Sequence, residues 1–89
     1  MKTMLDILKE RLPEGMEIVK VKDKANASQT EVWFGYQGME VKSWLMKFCA
    51  PGCENKICDR TIANSMLGFA LKLENIEMAE YWRDKMLMG

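Results

Sequence analysis

The sequence predicts an α+β domain: an N-terminal helix, a three-stranded antiparallel β-meander and a C-terminal antiparallel helical hairpin. Apolar residues recur at spacings of three and four near the N-terminus and in the last third of the chain, as in helices that bury one face. Segments rich in β-branched and aromatic residues lie between them. The 89 residues are enough for one domain, so we expect 1–89 to fold as a unit.

The first helix is predicted over residues 3–12. Thr3 can cap its N-terminus, and Pro13 ends it because proline cannot continue a helix. Strands follow at 16–22 and 30–36, separated by the polar loop 23–29.

Alternation in the second strand sorts its side chains between the two faces of the sheet. We expect one face to carry Val32, Phe34 and Tyr36, and the other to carry Glu31, Trp33 and Gly35. In the first strand, Ile18 and Val19 blur this alternation. The third strand is predicted to begin at Met39, after a short turn.

Residues 43–49 fit neither a helical nor a strand period. Ser43 could cap a short helix over Trp44 to Cys49, or the third strand could continue to about Leu45. We favour the short helix, which would precede the hairpin.

The C-terminal hairpin is predicted as a long helix over 55–73 and a final helix capped by Asn75. The junction is so short that the helices must run antiparallel. The stripe predicted to form the centre of the core is Cys58, Ile62, Met66, Phe69 and Leu73. The corresponding stripe of the final helix is predicted as Ile76, Ala79, Trp82 and Met86.

Residues 62–87 resemble one helical-hairpin unit of the tetratricopeptide and pentatricopeptide repeat families. The matching residues are Leu67, Gly68, Ala70, Ala79 and Leu87. No second copy of the unit occurs, whereas solenoids need about three. We interpret the resemblance as convergent helix-pair packing and transfer no function from it.

Composition excludes several classes of function. The chain has no histidine, which removes mechanisms that need an in-chain His as base or metal ligand. Thirteen basic residues balance thirteen acidic ones, whereas nucleic-acid binders usually carry a basic excess. Acidic residues near the N-terminus argue against a signal peptide, and an odd number of cysteines argues against a disulfide framework. We therefore expect a cytoplasmic protein that is not an enzyme, with no cofactor and no membrane partner.

Three features could carry a function, and each has a structural alternative. Cys49, Cys53 and Cys58 could form a metal or redox site, but their spacing does not match a zinc knuckle and a fourth cysteine or histidine is lacking. We expect no metal there. Lys20, Lys22, Lys24 and Lys42 could bind nucleic acid, or they could be a solvated strand face.

The third feature is aromatic. Trp33, Tyr36 and Trp44 are the residues we expect to bind a protein partner, because exposed aromatic residues anchor many protein interfaces. The alternative is that helices cover them. The sequence thus favours a small protein–protein interaction module that acts as a regulator or inhibitor, and we expect it to be of phage or mobile-element type. Because association would add burial to a small core, we also expect a homodimer.

Overall fold

The computed structural model describes residues 4–23, 29–47 and 55–88, which form three helices and three strands. In chain order they are α1 (Met4–Arg11), β1 (Met16–Asp23), β2 (Gln29–Tyr36), β3 (Lys42–Lys47), α2 (Asn55–Lys72) and α3 (Ile76–Met88). The predicted fold class is confirmed. The predicted N-terminal cap, Thr3, lies outside the described residues.

The three strands form an antiparallel meander in the order β1-β2-β3. Val32 of β2 lies opposite Val21 of β1 and Trp44 of β3, and the next residue, Trp33, lies opposite Lys20 and Ser43. Since paired residues of antiparallel strands share a face, this register decides which side chains meet the helices.

The irregular stretch at Ile18 and Val19 is a β-bulge. Ile18 pairs with Phe34, and Lys20 pairs with Trp33, so Val19 is an extra residue without a partner in the ladder. After the bulge, the alternation in β1 restarts one residue later. This explains why the first strand departs from a simple alternating pattern.

The third strand begins at Lys42, later than the predicted start at Met39. Gln37 and Gly38 both have positive φ, and the Met39 amide donates to the Tyr36 carbonyl at 2.8 Å, which is the pattern of a type I′ turn. The ladder, however, first pairs Phe34 with Lys42. The β3 side therefore has one residue more than the β2 side, and this interrupts the pairing.

The short helix favoured for Trp44 to Cys49 is wrong over the described part of that segment. Residues 44–47 belong to β3, and Trp44 and Met46 pair with Val32 and Thr30. The apolar pattern was ambiguous because Leu45, which points away from the helices, is also apolar and remains exposed. Residues 48 and 49 lie outside the described residues.

The core is centred on α2, as the stripe along the long helix predicts, and its buried residues come from the sheet, α1 and α3 as well. Ile62, Met66 and Phe69 are buried, and the Phe69 ring lies 5.4 Å from that of Phe34 and 5.3 Å from that of Trp44. Leu73 packs against the core at its edge. The side chain of Cys58, the first member of the predicted stripe, lies outside the described residues.

The turn between α2 and α3 provides hydrogen-bond partners for backbone groups at the end of α2 and the start of α3. The amides of Glu74 and Asn75 donate to the carbonyls of Leu71 and Ala70, which is a Schellman motif with Glu74 at a φ of 57°. Asn75 Oδ1 accepts from the Met78 amide at 3.1 Å, so the predicted cap is confirmed. The two helices therefore form an antiparallel pair with a defined junction.

The apolar stripe of α3 differs from the predicted one at its first residue. Met78 and Trp82 are buried, and Ala79 and Met86 pack beside them, but Ile76 is 75% exposed. A helix turns about 100° per residue, so Ile76 and Met78 point in very different directions and only one can face the core. Ile76 thus belongs to an outer surface.

Candidate functional site

The sheet register separates the three aromatic residues that were predicted to bind a partner. Trp33 lies on one face of the sheet, while Tyr36 and Trp44 lie on the face that meets the helices. The expected alternation of Trp33 against Phe34 and Tyr36 is therefore observed. The three residues do not form one surface, so their grouping needs correction.

Trp44 is engaged with α2. Its Nε1 donates to Ser65 Oγ at 2.9 Å, its ring packs on Phe69, and Lys72 Nζ lies 5.7 Å from the ring centroid. The ring also lies over Gly68, where a Cβ would stand 3.5 Å from it. These contacts indicate that Trp44 joins β3 to the long helix.

Trp33 occupies the other face, where exposed side chains surround it. We call this surface the open sheet face; its members on the described strands are Glu17, Val19, Lys20, Lys22, Gln29, Glu31, Trp33, Gly35, Ser43, Leu45 and Lys47. Val19 and Leu45 are 52% and 47% exposed. Lys20 Nζ lies 4.9 Å from the Trp33 ring centroid, so the lysine shields part of a ring that the helices do not cover.

The predicted lysine set is also divided. Lys20 and Lys22 share the open sheet face, as their spacing predicts. Lys42 pairs with Phe34 on the opposite face and lies 3.3 Å from Glu40, so it does not join them. Lys24 lies outside the described residues, whereas Lys47, which was not predicted, pairs with Gln29 at the far end of the open sheet face.

The role of the three cysteines remains a prediction. Cys49 and Cys53 lie outside the described residues, and only the backbone position of Cys58, in α2, is described. In the described ranges, no three His, Cys, Asp or Glu side chains come together as a metal site would require.

A second surface was missed from the sequence. Between α2 and α3 runs an apolar groove of about 420 Å³, which we call the hairpin groove. Its lining includes Leu67, Leu71, Ile76 and Ala79, with Glu74, Glu80 and Arg83 at its margin. On the helix wheel, Leu67 and Leu71 lie nearly opposite Phe69, so the groove faces away from the sheet.

The residues around this groove are unusually exposed for their type. Leu71 and Ile76, which line the groove, are 62% and 75% exposed, and Leu87, which lies beyond it near the end of α3, is 75% exposed. Leucine and isoleucine are more often buried, and a contiguous apolar patch commonly marks an interaction site. The only sequence signal was a surplus of apolar residues in α3, more than one buried stripe requires.

A polar cluster joins α1 to the hairpin. Tyr81 Oη donates to the Arg11 carbonyl oxygen at 2.6 Å, and Arg11 Nε lies 3.3 Å from Asp59 Oδ1. Burial raises the pKa of Tyr81 above the ordinary value of 10.0, and the Arg11 guanidinium offsets part of that rise. The arrangement holds three helices together and presents no nucleophile paired with a base.

Comparisons with protein-family models, with curated proteins and with solved structures found no match to this chain. Within the described ranges, every helix is too short or too polar to cross a bilayer.

Proposed function

We propose that this chain is a small, non-enzymatic protein-binding domain that docks a partner on its open sheet face. The observation that carries the proposal is the setting of Trp33. Its ring lies at the centre of a sheet face that the helices leave uncovered, with exposed Val19 and Leu45 nearby and Lys20 across the ring. Tryptophan contributes more binding energy at interfaces than most residue types.

The charges of the open sheet face favour a partner of defined chemistry. Lys20 and Lys22 lie side by side on β1, and both are exposed. An apolar protein surface bordered by carboxylates would pack on Trp33 while its acidic groups met these lysines. By occupying such a surface, the domain would act as a regulator or inhibitor of its partner, and we expect it to act in the cytoplasm.

A single-stranded nucleic acid is the second candidate, because the row of Lys20 and Trp33 combines a cation with a stacking ring. Stacking platforms generally use several rings, whereas Trp33 is the one aromatic residue on the described strands of this face. Glu17 and Glu31 also lie on this face, and a protein partner can place its few carboxylates away from them, whereas a nucleic-acid strand carries negative charge along its whole length. A protein partner therefore fits the described residues better.

The test compares the wild type with Trp33→Ala in capture from native lysate, followed by titration of the purified partner by calorimetry. We expect Trp33→Ala to weaken binding by roughly thirtyfold or more, as for a hot-spot tryptophan. Its helix-facing core is unchanged, so circular dichroism should show the wild-type fold. Ile76→Ser, on the opposite side of the molecule, is the matched control and should leave the affinity per protomer unchanged.

The proposal fails if the identified partner binds Trp33→Ala as tightly as the wild type. It also fails if a labelled single-stranded oligonucleotide, titrated at low and high salt, binds with an affinity that depends on Trp33 and Lys20. That result would establish the nucleic-acid alternative instead.

A further inference from the structure

The outer stripe of α3 has a pattern that complements itself. Ile76, Glu80, Arg83 and Leu87 follow one another at spacings of four, three and four, so they lie on one face of the helix. The stripe has an apolar residue at each end, and its centre carries one acidic and one basic residue. Read in the opposite direction, the order of apolar and charged positions is unchanged, but acid and base exchange places.

We propose that a second copy of this chain docks against α3, so that the two α3 helices run antiparallel. The twofold axis passes between the two helices, at the level midway between residues 81 and 82. This axis places Ile76 of one copy opposite Leu87 of the other, and Glu80 opposite Arg83. Every member of the stripe then meets a residue of matching chemistry, twice per dimer. The proposal is independent of the partner proposed for the open sheet face.

Other arrangements of the same two stripes fit less well. Parallel helices in register would place Glu80 on Glu80 and Arg83 on Arg83. An antiparallel pair shifted by one turn would bring apolar ends against charged residues, for instance Ile76 against Arg83. Charge complementarity and apolar contact therefore select the same register.

The hairpin groove is covered by the same contact. Leu71 and Ile76 both line the groove, so Leu87 of the second copy, placed opposite Ile76, reaches the groove next to Leu71. The three most exposed large apolar side chains of the described residues would thus be buried in one interface. Ile76 and Leu87 are about 16 Å apart along the axis at 1.5 Å per residue, so the contact spans three turns.

Two charged neighbours bear on the strength of this contact. Arg83 Nη2 lies 3.8 Å from Asp84 Oδ1, but both side chains are about 60% exposed, and adjacent residues on a helix do not face each other. This ion pair is therefore weak and leaves Arg83 able to meet Glu80 of the second copy. Glu77 and Asp84 lie along the flank of the stripe away from α2, where the two copies would bring like charges near each other. This repulsion is solvent-exposed and screened by salt, so it lowers the affinity without changing the register.

The test is a charge exchange followed by sedimentation velocity over a range of protein concentrations. We expect the wild type to dimerise and Glu80→Arg or Arg83→Glu alone to weaken dimerisation by about tenfold, because each places like charges opposite one another. The double variant Glu80→Arg/Arg83→Glu should restore the affinity to within about threefold of the wild type. Leu87→Ser should abolish the dimer while leaving the fold intact, because this side chain is mostly exposed.

Asp84→Asn is the control for the flanking charge and should leave the dimer unchanged or tighten it by no more than about threefold. A wild type that stays monomeric at several hundred micromolar overturns the proposal, and so does a double variant no better than the single ones. A dimer unaffected by Leu87→Ser overturns it too, because the interface would then lie elsewhere. Trp33→Ala should dimerise like the wild type, so failure here and failure of the partner proposal are distinguishable.

Discussion

The open sheet face and the hairpin groove both expose apolar side chains, but the charges around them are arranged differently. On the open sheet face, Trp33 is partly covered by Lys20, and its charged neighbours form no self-complementary order. Around the hairpin groove, Glu80 and Arg83 lie at the centre of an apolar stripe. The first surface suits a different molecule, whereas the second suits another copy of itself.

The two surfaces also depend on different parts of the fold. The open sheet face exists because the strand register sends alternate residues away from α2. The hairpin groove exists because Ala70 and Ala79 are small, while Leu71 and Ile76 project beside them. Both surfaces are held in place by the same core, so we expect the largest effect from a substitution in that core.

Phe69→Ala should disturb both surfaces at once. The ring is buried between Phe34 and Trp44, so its removal leaves a cavity between α2 and the sheet. We expect a loss of about 3–5 kcal/mol in the free energy of unfolding, measured by urea denaturation. The control is Ile76→Ala, measured at a concentration where the chain is monomeric, which should change stability by less than about 0.5 kcal/mol because the side chain is then largely exposed. Equal losses for the two variants would contradict this assignment of core and surface.

The difference between core and surface residues also explains which parts of the fold could be predicted from the sequence. The α2 stripe was predictable because its buried members recur at helical spacing and are all apolar. The choice between Ile76 and Met78 was not, because both are apolar and only the packing of α3 on the core decides which is buried. Trp44 was ambiguous for a related reason: exposed Leu45 hides the strand period.

The candidate sites were predictable in part. The separation of Trp33 from Phe34 follows from alternation alone, and so does the shared face of Lys20 and Lys22. The position of Lys42 was not predictable, because it depends on the register of β3 against β2. The pattern from Ile76 to Leu87 is present in the sequence, but it has meaning only once that face of α3 is known to be exposed.

The contact between α1 and the hairpin should make stability sensitive to alkaline pH. Burial raises the pKa of Tyr81 in the folded chain, so above the ordinary value of 10.0 the unfolded state loses the proton first. The stabilisation is present below that pH and is lost as pH rises through the folded-state pKa. Ionisation also removes the hydrogen atom that Tyr81 donates to the Arg11 carbonyl oxygen.

Tyr81→Phe isolates this effect. We expect the variant to lose about 1 kcal/mol near neutral pH through the missing hydrogen bond, and to show a weaker decline than the wild type above pH 10. Urea denaturation of both proteins between pH 7 and 11 measures the difference. Two curves that stay parallel over that range would show that Tyr81 ionises alike in the folded and unfolded states.

The smallest expected effect shows whether Lys20 stabilises the position of the Trp33 ring on the open sheet face. Lys20 lies over the Trp33 ring, and an exposed cation–π contact contributes about 0.5–1 kcal/mol. A double-mutant cycle of Lys20→Ala and Trp33→Ala should give a coupling energy near the lower end of that range. The control cycle pairs Trp33→Ala with Lys22→Ala, whose lysine lies opposite Glu31, and should give no measurable coupling.

A coupling for Lys20 and none for Lys22 would mean that Lys20 holds the Trp33 ring in place before a partner arrives. An ordered ring loses less side-chain entropy on binding, so the free energy of association is more favourable. Lys20→Ala should then weaken partner binding in addition to its small effect on stability. If the two cycles give the same value, Lys20 acts only as a surface charge, and Trp33 alone would have to account for docking on this face.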